Sequence, residues 1–318
     1  MLTRRTLIAA TAMLAPPLAR AEDFSAVVAS VKAEARRAGI RPATLDRAFA
    51  GVRMNPKVIE LDHHQPEFTL TWEQYRDRIV SDARVARGRT LYAQHRTLLA
   101  TVTNRYGVPP GVIMGIWGIE SDFGQSTGGF NVIEALATLT WEGRRASFFR
   151  SELMDALRIL DHGDIAPARM WGSYAGAMGQ PQFMPDSFLK FAVDFSGNGR
   201  RDIWNDYGDI FASVANYLAK SGWSGRVPWG VPAQVPPNFN PALGGRENQR
   251  RVSDWVSLGV RPAGAALPAD ATAAVIQPGG AGGEAFLVCQ PNFLAIRRYN
   301  PSDFYCLSVG LIGDRVTA

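Results

Sequence analysis

The sequence has few of the residues that bind metals tightly, since its 318 residues include only two cysteines and four histidines. His63 and His64 are adjacent, but no His-Glu-x-x-His spacing or cysteine partner accompanies them. We therefore interpret this pair as a surface or structural feature rather than a zinc site. The sequence also lacks any motif that indicates a redox or nucleotide cofactor.

The chain has no basic block interleaved with aromatic residues, no internal repeat and no flexible linker leading to a second module. Its formal net charge of +5 favours anionic partners, but Lys and Arg are spread along the chain, so we expect no nucleic-acid partner. After the first residues, no apolar run is long enough to span a bilayer. With 46% hydrophobic residues the chain can bury a large core, and we expect a monomer.

The N-terminus resembles an export signal. An Arg pair at residues 4–5, like that of twin-arginine signals, precedes the apolar run 7–14 and a small-x-small cleavage site at residues 19–21. No cysteine near this site could take a lipid. We expect residues 1–21 to be a signal peptide and the mature chain, from residue 22, to be periplasmic without a membrane anchor.

The two cysteines are Cys289 and Cys306. An exported chain could join them in a disulfide. Cys289 lies in a run with a strand pattern and Cys306 in a run with a helix pattern, so two separate buried thiols are an open alternative.

The most informative stretch is an apolar run that ends in a carboxylate. Residues 112–119 are apolar almost all round, which predicts a buried helix, and two prolines directly before them suit its start. Glu120 follows one turn after Ile116 and Trp117, on the same helix face. Because desolvation disfavours a charged carboxylate, we expect Glu120 to hold its proton more tightly, as a general acid requires. A buried Glu paired with Arg, or capping another helix, is the alternative.

Other helical and strand patterns suggest a mainly α-helical chain. Apolar residues recur with helical periodicity in the N-terminal region 24–106, which includes the long stretch 84–106, and at 131–139, 148–160, 211–220 and 301–311. Short β-like pieces occur at 251–258, 273–276 and 286–288. The region 225–283 is rich in Pro, Gly and Ala, which predicts a small sheet or an irregular lobe.

Three further stretches carry polar groups in special settings. Residues 173–185 set small residues beside Met, Phe and Gln, which lets backbone approach a ligand. In the exposed-looking corner 141–145, Arg144 and Arg145 could hold a carboxylate or be solvated. Residues 194–202 resemble the start of an EF-hand loop, but the twelfth position is Asn205 instead of Glu. Asp209 could supply the missing carboxylate, so a structural Ca²⁺ or Na⁺ site and a metal-free turn both stay open.

Taken together, these motifs resemble those of the lytic murein transglycosylase B family. The matching motifs, in family order, are Gly-Ile-Glu-Ser-Asp-Phe-Gly at 118–124, Ala-Gly-Ala-Met-Gly at 175–179, Gln-Phe-Met-Pro at 182–185, Asp-Phe-Ser-Gly-Asn-Gly at 194–199 and Tyr-Asn at 299–300. The resemblance runs from about Phe24 to the C-terminus. Two positions depart from the family pattern: Phe123 replaces a more usual Trp, and Asn198 replaces a more usual carboxylate, which weakens the expected cation site.

The resemblance implies a fold and an activity. The fold would be mainly α, an α+β arrangement with a lysozyme-like catalytic core at about 107–318, a helical N-terminal lobe at about 22–106 and a small β insertion near the cation loop. The activity would be cleavage of the β-1,4 bond between N-acetylmuramic acid and N-acetylglucosamine in peptidoglycan glycan strands, without water, to leave a 1,6-anhydromuramyl end.

The resemblance also assigns residues to roles, and no cofactor is required by it. Glu120 would be the single catalytic acid and base. The glycan groove would be lined by Ser173, Gln182, Tyr217, Tyr299, Asn300 and Tyr305, with Arg145 near the muramyl peptide. The cation would be held by Asp194, Ser196, Asn198, the Arg200 carbonyl and Asp209.

One carboxylate is enough if the substrate's own N-acetyl oxygen attacks the anomeric carbon, which is an exception to the usual pair of carboxylates in glycosidases. A hydrolytic muramidase of the same fold is the first alternative, and it would need a second carboxylate such as Asp122 or Glu142. A non-catalytic peptidoglycan-binding protein is the second, but a binder has no need of Glu120 on an apolar face.

Overall fold

The computed structural model describes residues 17–63 and 70–318. Residues 1–16, which make up most of the expected signal peptide, lie outside the described residues. His64 also lies outside them. The described helices are α1 (Pro17–Arg37), α2 (Pro42–Ala48), α3 (Pro56–His63), α4 (Trp72–Ile79), α5 (Asp82–Tyr106), α6 (Pro110–Ser121), α7 (Val132–Glu142), α8 (Ala146–His162), α9 (Pro185–Phe191), α10 (Tyr207–Lys220), α11 (Val252–Ser257), α12 (Gln290–Tyr299) and α13 (Asp303–Thr317). The described strands are β1 (Phe130–Asn131), β2 (Trp171–Gly172), β3 (Gly230–Gln234), β4 (Arg250–Arg251), β5 (Arg261–Pro262), β6 (Thr272–Ile276) and β7 (Ala285–Cys289).

The helical patterns of the sequence are confirmed at their main positions, in α5, α6, α7, α8, α10 and α13. Proline is the first residue of α2, α3, α6 and α9, where its missing N–H costs no helical hydrogen bond. Helix α5 ends at Tyr106, and the next residue, Gly107, has a φ of 70°, a left-handed conformation that glycine adopts without strain. Of the helices in the described ranges, none has an apolar stretch long enough to cross a membrane.

The buried apolar side chains form two large clusters. The first joins α4, α5, α6, α10, α12 and α13 to one face of a sheet, and Trp117 lies fully buried in it. The second joins α1, α2, α3, α7, α8 and α9 to the segment 170–184. Each fully buried large apolar side chain stabilises the fold by about 1.5–3 kcal/mol. The helices before Tyr106 thus divide between the two clusters, and the expected division into a lobe of residues 22–106 and a core of 107–318 stays a prediction.

The larger sheet is antiparallel with strand order β4-β6-β7-β3-β5. Its central strand is β7, in which Leu287 lies opposite Val275 of β6 and Val231 of β3. Strand patterns at 273–276 and 286–288 are therefore confirmed. The sheet follows α10 in the chain and occupies the Pro-, Gly- and Ala-rich region, with its own small apolar cluster around Trp255. Strands β1 and β2 form a separate two-stranded sheet.

The expectation of a β-like piece at 251–258 is wrong, because only Arg250 and Arg251 pair as a strand and Val252–Ser257 is the helix α11. The buried residues Val252 and Trp255 are three positions apart, which is the helical spacing. Val256 and Leu258, the other apolar residues of the segment, are 51% and 41% exposed. Burial of Val252 and Trp255 against the sheet therefore favours a helix over a strand.

The disulfide alternative is also wrong, since Cys289 and Cys306 are both free and buried. Cys289 lies at the end of β7 and Cys306 in α13, as their sequence patterns predicted. Burial raises the pKa of the Cys289 thiol to about 11, and burial likewise raises that of Cys306. Both residues therefore pack as neutral, unreactive thiols.

Glycines let α6 and α13 pack backbone against backbone. A Cβ on Gly115 of α6 would lie 2.2 Å from the carbonyl oxygen of Val309, and one on Gly313 of α13 would lie 2.4 Å from that of Gly111. Real Cβ atoms are not found so close, so larger side chains would push the helices apart. This close approach sets the distance between the N-terminal half of α6 and the middle and C-terminal part of α13.

Candidate active site

Glu120 lies at the C-terminal end of α6, directly after the buried residues of that helix. The helix begins at Pro110, buries the run from Val112 to Gly118 and ends at Ser121. Glu120 itself is only partly buried. The sequence prediction of a buried helix that delivers a carboxylate is therefore confirmed, and the carboxylate emerges from an apolar helix at the point where the helix stops.

The turn after Glu120 is held in a strained backbone conformation. Asp122 and Phe123 both have left-handed φ angles, 49° and 59°, which residues other than glycine rarely adopt. The Phe123 ring packs against Gly88 of α5 and Gly118 of α6. A Cβ on Gly88 would lie 2.8 Å from a ring atom of Phe123, and a Cβ on Gly118 would lie 2.7 Å from one, so a larger residue at either position would clash with the ring. Packing of this ring offsets the backbone strain, which is about 1–3 kcal/mol for each such residue.

Tyr305 of α13 contacts the carboxylate of Glu120. Its hydroxyl donates a hydrogen bond of 2.5 Å to Glu120 Oε1, and the residue is only 2% exposed. Burial first, and then the negative charge of Glu120, raises the pKa of Tyr305 well above its usual value. Tyr305 therefore stays a neutral phenol, which can donate a hydrogen bond to an ionised Glu120 and accept one from a protonated Glu120.

Three more aromatic rings pack against one another beside Tyr305, and we call this group the aromatic wall (Tyr217, Tyr299 and Phe183). Ring centroids are 4.6 Å apart for Tyr217 and Tyr299 and 5.7 Å apart for Phe183 and Tyr299. The Tyr299 hydroxyl donates to the Pro181 carbonyl oxygen at 2.6 Å. Burial, followed by the charge of Glu120, raises the pKa of Tyr299 well above its usual value. The structure thus brings Tyr305 and Tyr299 close to Glu120, and Tyr217 joins them through its ring contact with Tyr299.

Two predicted groove residues, Ser173 and Gln182, make hydrogen bonds that hold the segment 173–184 in a compact loop. Ser173 Oγ accepts hydrogen bonds from the backbone N–H groups of Ala175 and Ala177, at 3.2 and 3.0 Å. Gln182 has a left-handed φ of 51°, and its Nε2 donates to the carbonyl oxygens of Thr127 and Gly179. The Ser173 hydroxyl keeps a proton to donate, because it acts as an acceptor in both bonds.

Asn300 lies between α12 and α13. Its Oδ1 accepts a hydrogen bond of 3.0 Å from the backbone N–H of Ser302, the residue that caps α13. Its backbone carbonyl oxygen accepts the weak hydrogen bond of the Cys306 thiol at 3.7 Å. Asn300 therefore fixes the corner that connects Tyr299 of the aromatic wall with the helix that carries Tyr305.

Arg145 belongs to a different cluster, which we call the Asp62 corner (Asp62, His63, Glu142, Arg144 and Arg145). The Asp62 side chain is 1% exposed and accepts hydrogen bonds from the guanidinium groups of both arginines. His63 Nε2 lies 3.1 Å from Glu142 Oε1. The two arginines therefore hold a carboxylate rather than being merely solvated, and the structure places no contact between Arg145 and the residues gathered around Glu120 within the described chain.

Ligand atoms of Asp62, His63 and Glu142 lie within 4.8 Å of one another. The carboxylate of Asp62 is already neutralised by two guanidinium groups, and that of Glu142 accepts from His63 and from the backbone N–H of Arg144. Ion pairing accounts for this group without a metal, and the interpretation of His63 as a structural residue agrees with it.

The two carboxylates that a hydrolytic mechanism could use are both engaged. Asp122, two residues after Glu120, is paired with Arg84 at 3.2 Å and with Arg87. Glu142 is held in the Asp62 corner. Both carboxylates are thus fixed by cationic or backbone partners, in contrast to a carboxylate that is free to position an attacking water.

The loop at residues 194–199 has the oxygen donors of a hard-cation site. Asp194 accepts backbone N–H bonds from Gly197, Asn198 and Gly199 at 2.7, 3.1 and 2.8 Å, and although burial opposes it, these bonds hold the pKa of Asp194 below its usual value. Asp209 is fully buried and accepts backbone N–H bonds from residues 195, 196 and 202. Burial raises its pKa. A buried carboxylate beside an oxygen-lined loop fits a cation in donor chemistry.

Sequence reasoning missed Gln180. This side chain is 8% exposed, its Oε1 accepts a hydrogen bond of 2.7 Å from Trp117 Nε1, and its Nε2 donates one of 2.8 Å to the Trp204 carbonyl oxygen. A signal existed: a buried indole N–H and a buried amide each need a partner. No spacing rule connects them, however, because they are 63 residues apart.

Comparison with known proteins gives consistent results. A family model described as a transglycosylase SLT domain matches residues 23–314. Over 248 residues the chain is 34% identical to the membrane-bound lytic murein transglycosylase B of Escherichia coli (strain K12), an alignment that covers 77% of this chain and 67% of that protein.

Solved structures are similar over nearly the whole chain. A crystal structure of SltB3 from Pseudomonas aeruginosa in complex with NAG-anhNAM-pentapeptide is 42% identical with a TM-score of 0.88, covering 93% of this chain and 80% of that one. The structure of the soluble lytic transglycosylase SltB1 from the same organism is 33% identical with a TM-score of 0.80, covering 91% and 98%. The Escherichia coli lytic transglycosylase Slt35 in complex with calcium is 29% identical with a TM-score of 0.78, covering 95% and 94%.

Proposed function

The chain belongs to the transglycosylase SLT domain family and is an enzyme of the lytic murein transglycosylase type, and from this premise we propose its reaction. It cleaves the β-1,4 bond between N-acetylmuramic acid and N-acetylglucosamine without water and leaves a 1,6-anhydromuramyl product. The observation that carries the proposal is Glu120 at the end of a buried helix, hydrogen-bonded to the neutral hydroxyl of Tyr305.

Glu120 acts twice in this reaction. As a carboxylic acid it donates its proton to the glycosidic oxygen while the substrate's N-acetyl oxygen attacks the anomeric carbon, and the bond to the leaving sugar breaks. As a carboxylate it then takes the proton of the muramyl 6-hydroxyl, whose oxygen attacks the anomeric carbon and displaces the N-acetyl oxygen. The carboxyl group returns to its starting state and no water is consumed.

Tyr305 supports both halves of this cycle. A hydrogen bond to the charged form of an acid favours that form, so the phenol stabilises Glu120 after it has donated its proton. Because Tyr305 itself stays protonated, no proton is lost to the phenol. The pairing of Asp122 with two arginines supports a single-carboxylate mechanism over a hydrolytic one.

The substrate is peptidoglycan glycan strands, the class to which the fragments bound by SltB3, NAG-anhNAM-pentapeptide and NAG-NAM-pentapeptide, belong. In this proposal the aromatic wall, Ser173, Gln182 and Asn300 line the glycan groove, and Arg145 faces the peptide stem. Such a substrate places the mature enzyme in the periplasm.

The loop at residues 194–209 is proposed as a structural cation site. Slt35 has been determined in complex with calcium, and the oxygen donors of Asp194, Ser196, Asn198, the Arg200 carbonyl and Asp209 would hold such an ion here. The ion would supply positive charge beside the buried Asp209 and has no part in the reaction, so removal of calcium with a chelator should lower Tm and leave the product unchanged.

The test is mass spectrometry of muropeptides released from purified peptidoglycan by the mature protein, with Glu120→Gln as the matched variant. We expect products one water lighter than reducing-end muropeptides from the wild type and none from the variant. Reducing-end products would instead make the protein a muramidase. Sheet binding without any product from the wild type would make it a binding protein and overturn the proposal.

A further inference from the structure

Gln180 connects three parts of the molecule that the proposed reaction uses. Through Oε1 it accepts from Trp117 on α6, through Nε2 it donates to Trp204, and through its backbone N–H it donates to the Ile203 carbonyl oxygen at 2.9 Å. It lies in the loop of residues 173–184, between the predicted groove residues Ser173 and Gln182. One buried residue thus joins the helix of Glu120, the groove loop and residues 203–204, which lie within the proposed cation loop.

Residues 201–204, which include the hydrogen-bond partners of Gln180, are themselves held in place by an ion pair and a hydrogen bond. Arg201, directly before Asp202 and Ile203, makes a two-pronged ion pair with Asp164, with Nε at 3.0 Å and a terminal nitrogen at 2.6 Å. Trp204 Nε1 donates to the Trp171 carbonyl oxygen at 2.9 Å. A side chain bonded to this segment is therefore fixed relative to the second apolar cluster, which contains Ile203 and Trp204.

Gly124 shows how tightly Gln180 is enclosed. A Cβ on Gly124, in the strained turn after Glu120, would lie 2.5 Å from Gln180 Oε1. The amide therefore touches the catalytic helix at two places: at Trp117, one turn before Glu120, and at the turn that follows Glu120. A shift of Gln180 would therefore disturb α6 both before Glu120, at Trp117, and after it, at Gly124.

We propose that Gln180 is a positioning residue, which holds the end of α6 so that Glu120 meets the scissile bond in the groove formed by residues 173–184. It touches no reacting atom in this account. The inference rests on the proposed function, since it explains how Glu120 is placed for that reaction. A misplacement of about 1 Å far from the chemistry can lower a rate about 100-fold, so the effect belongs to kcat and leaves substrate affinity nearly unchanged.

The test uses two variants that remove the same hydrogen bond from opposite ends. Gln180→Leu keeps the side-chain volume but loses the acceptor for Trp117, together with the donor to Trp204. Trp117→Phe keeps an aromatic ring but loses the donor. We expect each to lower kcat about 10- to 100-fold with KM changed less than about twofold, and the double variant to be no slower than the slower single variant. This non-additivity is expected of two residues that act through one bond.

The control is Trp255→Phe. Trp255 Nε1 donates a buried hydrogen bond of 2.9 Å to the Ala273 carbonyl oxygen, so this variant loses a bond of the same kind in the sheet cluster, which does not include α6. We expect it to lower Tm by an amount similar to Trp117→Phe and to leave kcat unchanged. An equal fall of kcat in this control would show that the effect is loss of stability alone. Additive losses in the double variant would show that Gln180 and Trp117 do not act through one bond.

The result also separates this inference from the function on which it rests. If the wild type releases no anhydro products, the proposed reaction is wrong. If the wild type releases them and folded Gln180→Leu retains wild-type kcat, the reaction stands and the positioning role of Gln180 is wrong.

Discussion

Glu120 and Asp62 are both carboxylates that bind side chains from distant parts of the chain, but the chemistry of their partners differs. Glu120 accepts a hydrogen bond from the neutral phenol of Tyr305, 185 residues away. Asp62 forms ion pairs with the guanidinium groups of Arg144 and Arg145. A carboxylate paired with two cations acts as a structural anchor. A carboxylate beside a phenol can gain and lose a proton without losing its partner.

The same contrast exists within one turn of the chain. Asp122 follows Glu120 by two residues, and it is paired with Arg84 and Arg87 of α5. The strained turn at residues 122–123 points the two carboxylates to different partners. Acid and base catalysis therefore requires a particular environment, and of these neighbouring carboxylates Glu120 has it.

Removing each carboxylate in turn gives the largest expected difference. Glu120→Gln should lower turnover at least about 1,000-fold, because it removes the group that transfers the proton. Asp122→Asn should keep turnover within about threefold, since Asn tolerates the left-handed backbone and partly exposed ion pairs contribute little. Both are measured as the rate of muropeptide release from purified peptidoglycan. An equal loss in both variants would mean that Asp122 takes part in the chemistry.

Tyr305→Phe removes the neutral partner and keeps the ring. A hydrogen bond to a charged group is worth about 1.5–3 kcal/mol, so we expect kcat to fall by about 10-fold or more. The alkaline limb of the pH profile, where Glu120 loses the proton that it donates, should move to higher pH, because the lost bond favoured the ionised carboxylate. Tyr217→Phe serves as the control: its hydroxyl bonds to the Arg298 carbonyl oxygen, so the limb should not move. An unmoved limb in Tyr305→Phe would contradict the proposed role.

Local features of this fold could be predicted from the sequence, because they depend on neighbours within one or two turns. The run at 112–119 fixed the expectation of a buried helix, and α6 has those limits within a few residues. The strand pattern at 286–288 is equally local. The segment 252–257 was mistaken because its composition is β-like, while its burial against the sheet is a tertiary effect.

The site could be predicted only in part, because its contacts join residues far apart in sequence. Glu120 was identified from its own surroundings, and Tyr305 from the family resemblance alone. No periodicity connects Trp117 with Gln180, 63 residues on, or Asp62 with Arg145, 83 residues on. Arg145 was expected near the muramyl peptide, and although a carboxylate partner was one alternative, nothing in its own segment identified that partner as Asp62.

Asp62→Asn tests the second carboxylate of the comparison by weakening its ion pairs with Arg144 and Arg145. Removing one member of a buried ion pair costs up to about 3–5 kcal/mol, but Arg144 and Arg145 are half-exposed, so we expect a loss of about 1–3 kcal/mol and a fall in Tm on the order of 5 °C. Arg145 then loses its anchor, and KM should rise for glycans that carry peptide stems but not for glycans without them. Glu142→Gln, which breaks the pair with His63 and leaves Asp62 intact, is the control. Equal KM changes for both substrates would show that Arg145 does not face the stem.

Glu152 is a third kind of carboxylate, buried beside a backbone N–H donor. Its replacement should have the smallest effect of the predicted substitutions. Its Oε2 accepts a hydrogen bond of 3.0 Å from the backbone N–H of Asp186. Burial raises the pKa of Glu152 above the ordinary value of 4.5, and the charges of Asp186 and Asp155 act in the same direction. The hydrogen bond from Asp186 opposes this rise. The folded state thus binds the proton more tightly than the unfolded chain, so this group's contribution to stability is complete below pH 4.5 and is lost as pH rises through the folded pKa. Glu152→Gln is neutral and can still accept the N–H bond. We expect its Tm to exceed that of the wild type by an amount on the order of 1 °C at pH 8 and to match it near pH 4. A gain in Glu152→Gln that is equal at both pH values would mean that burial of the charge is not its cause.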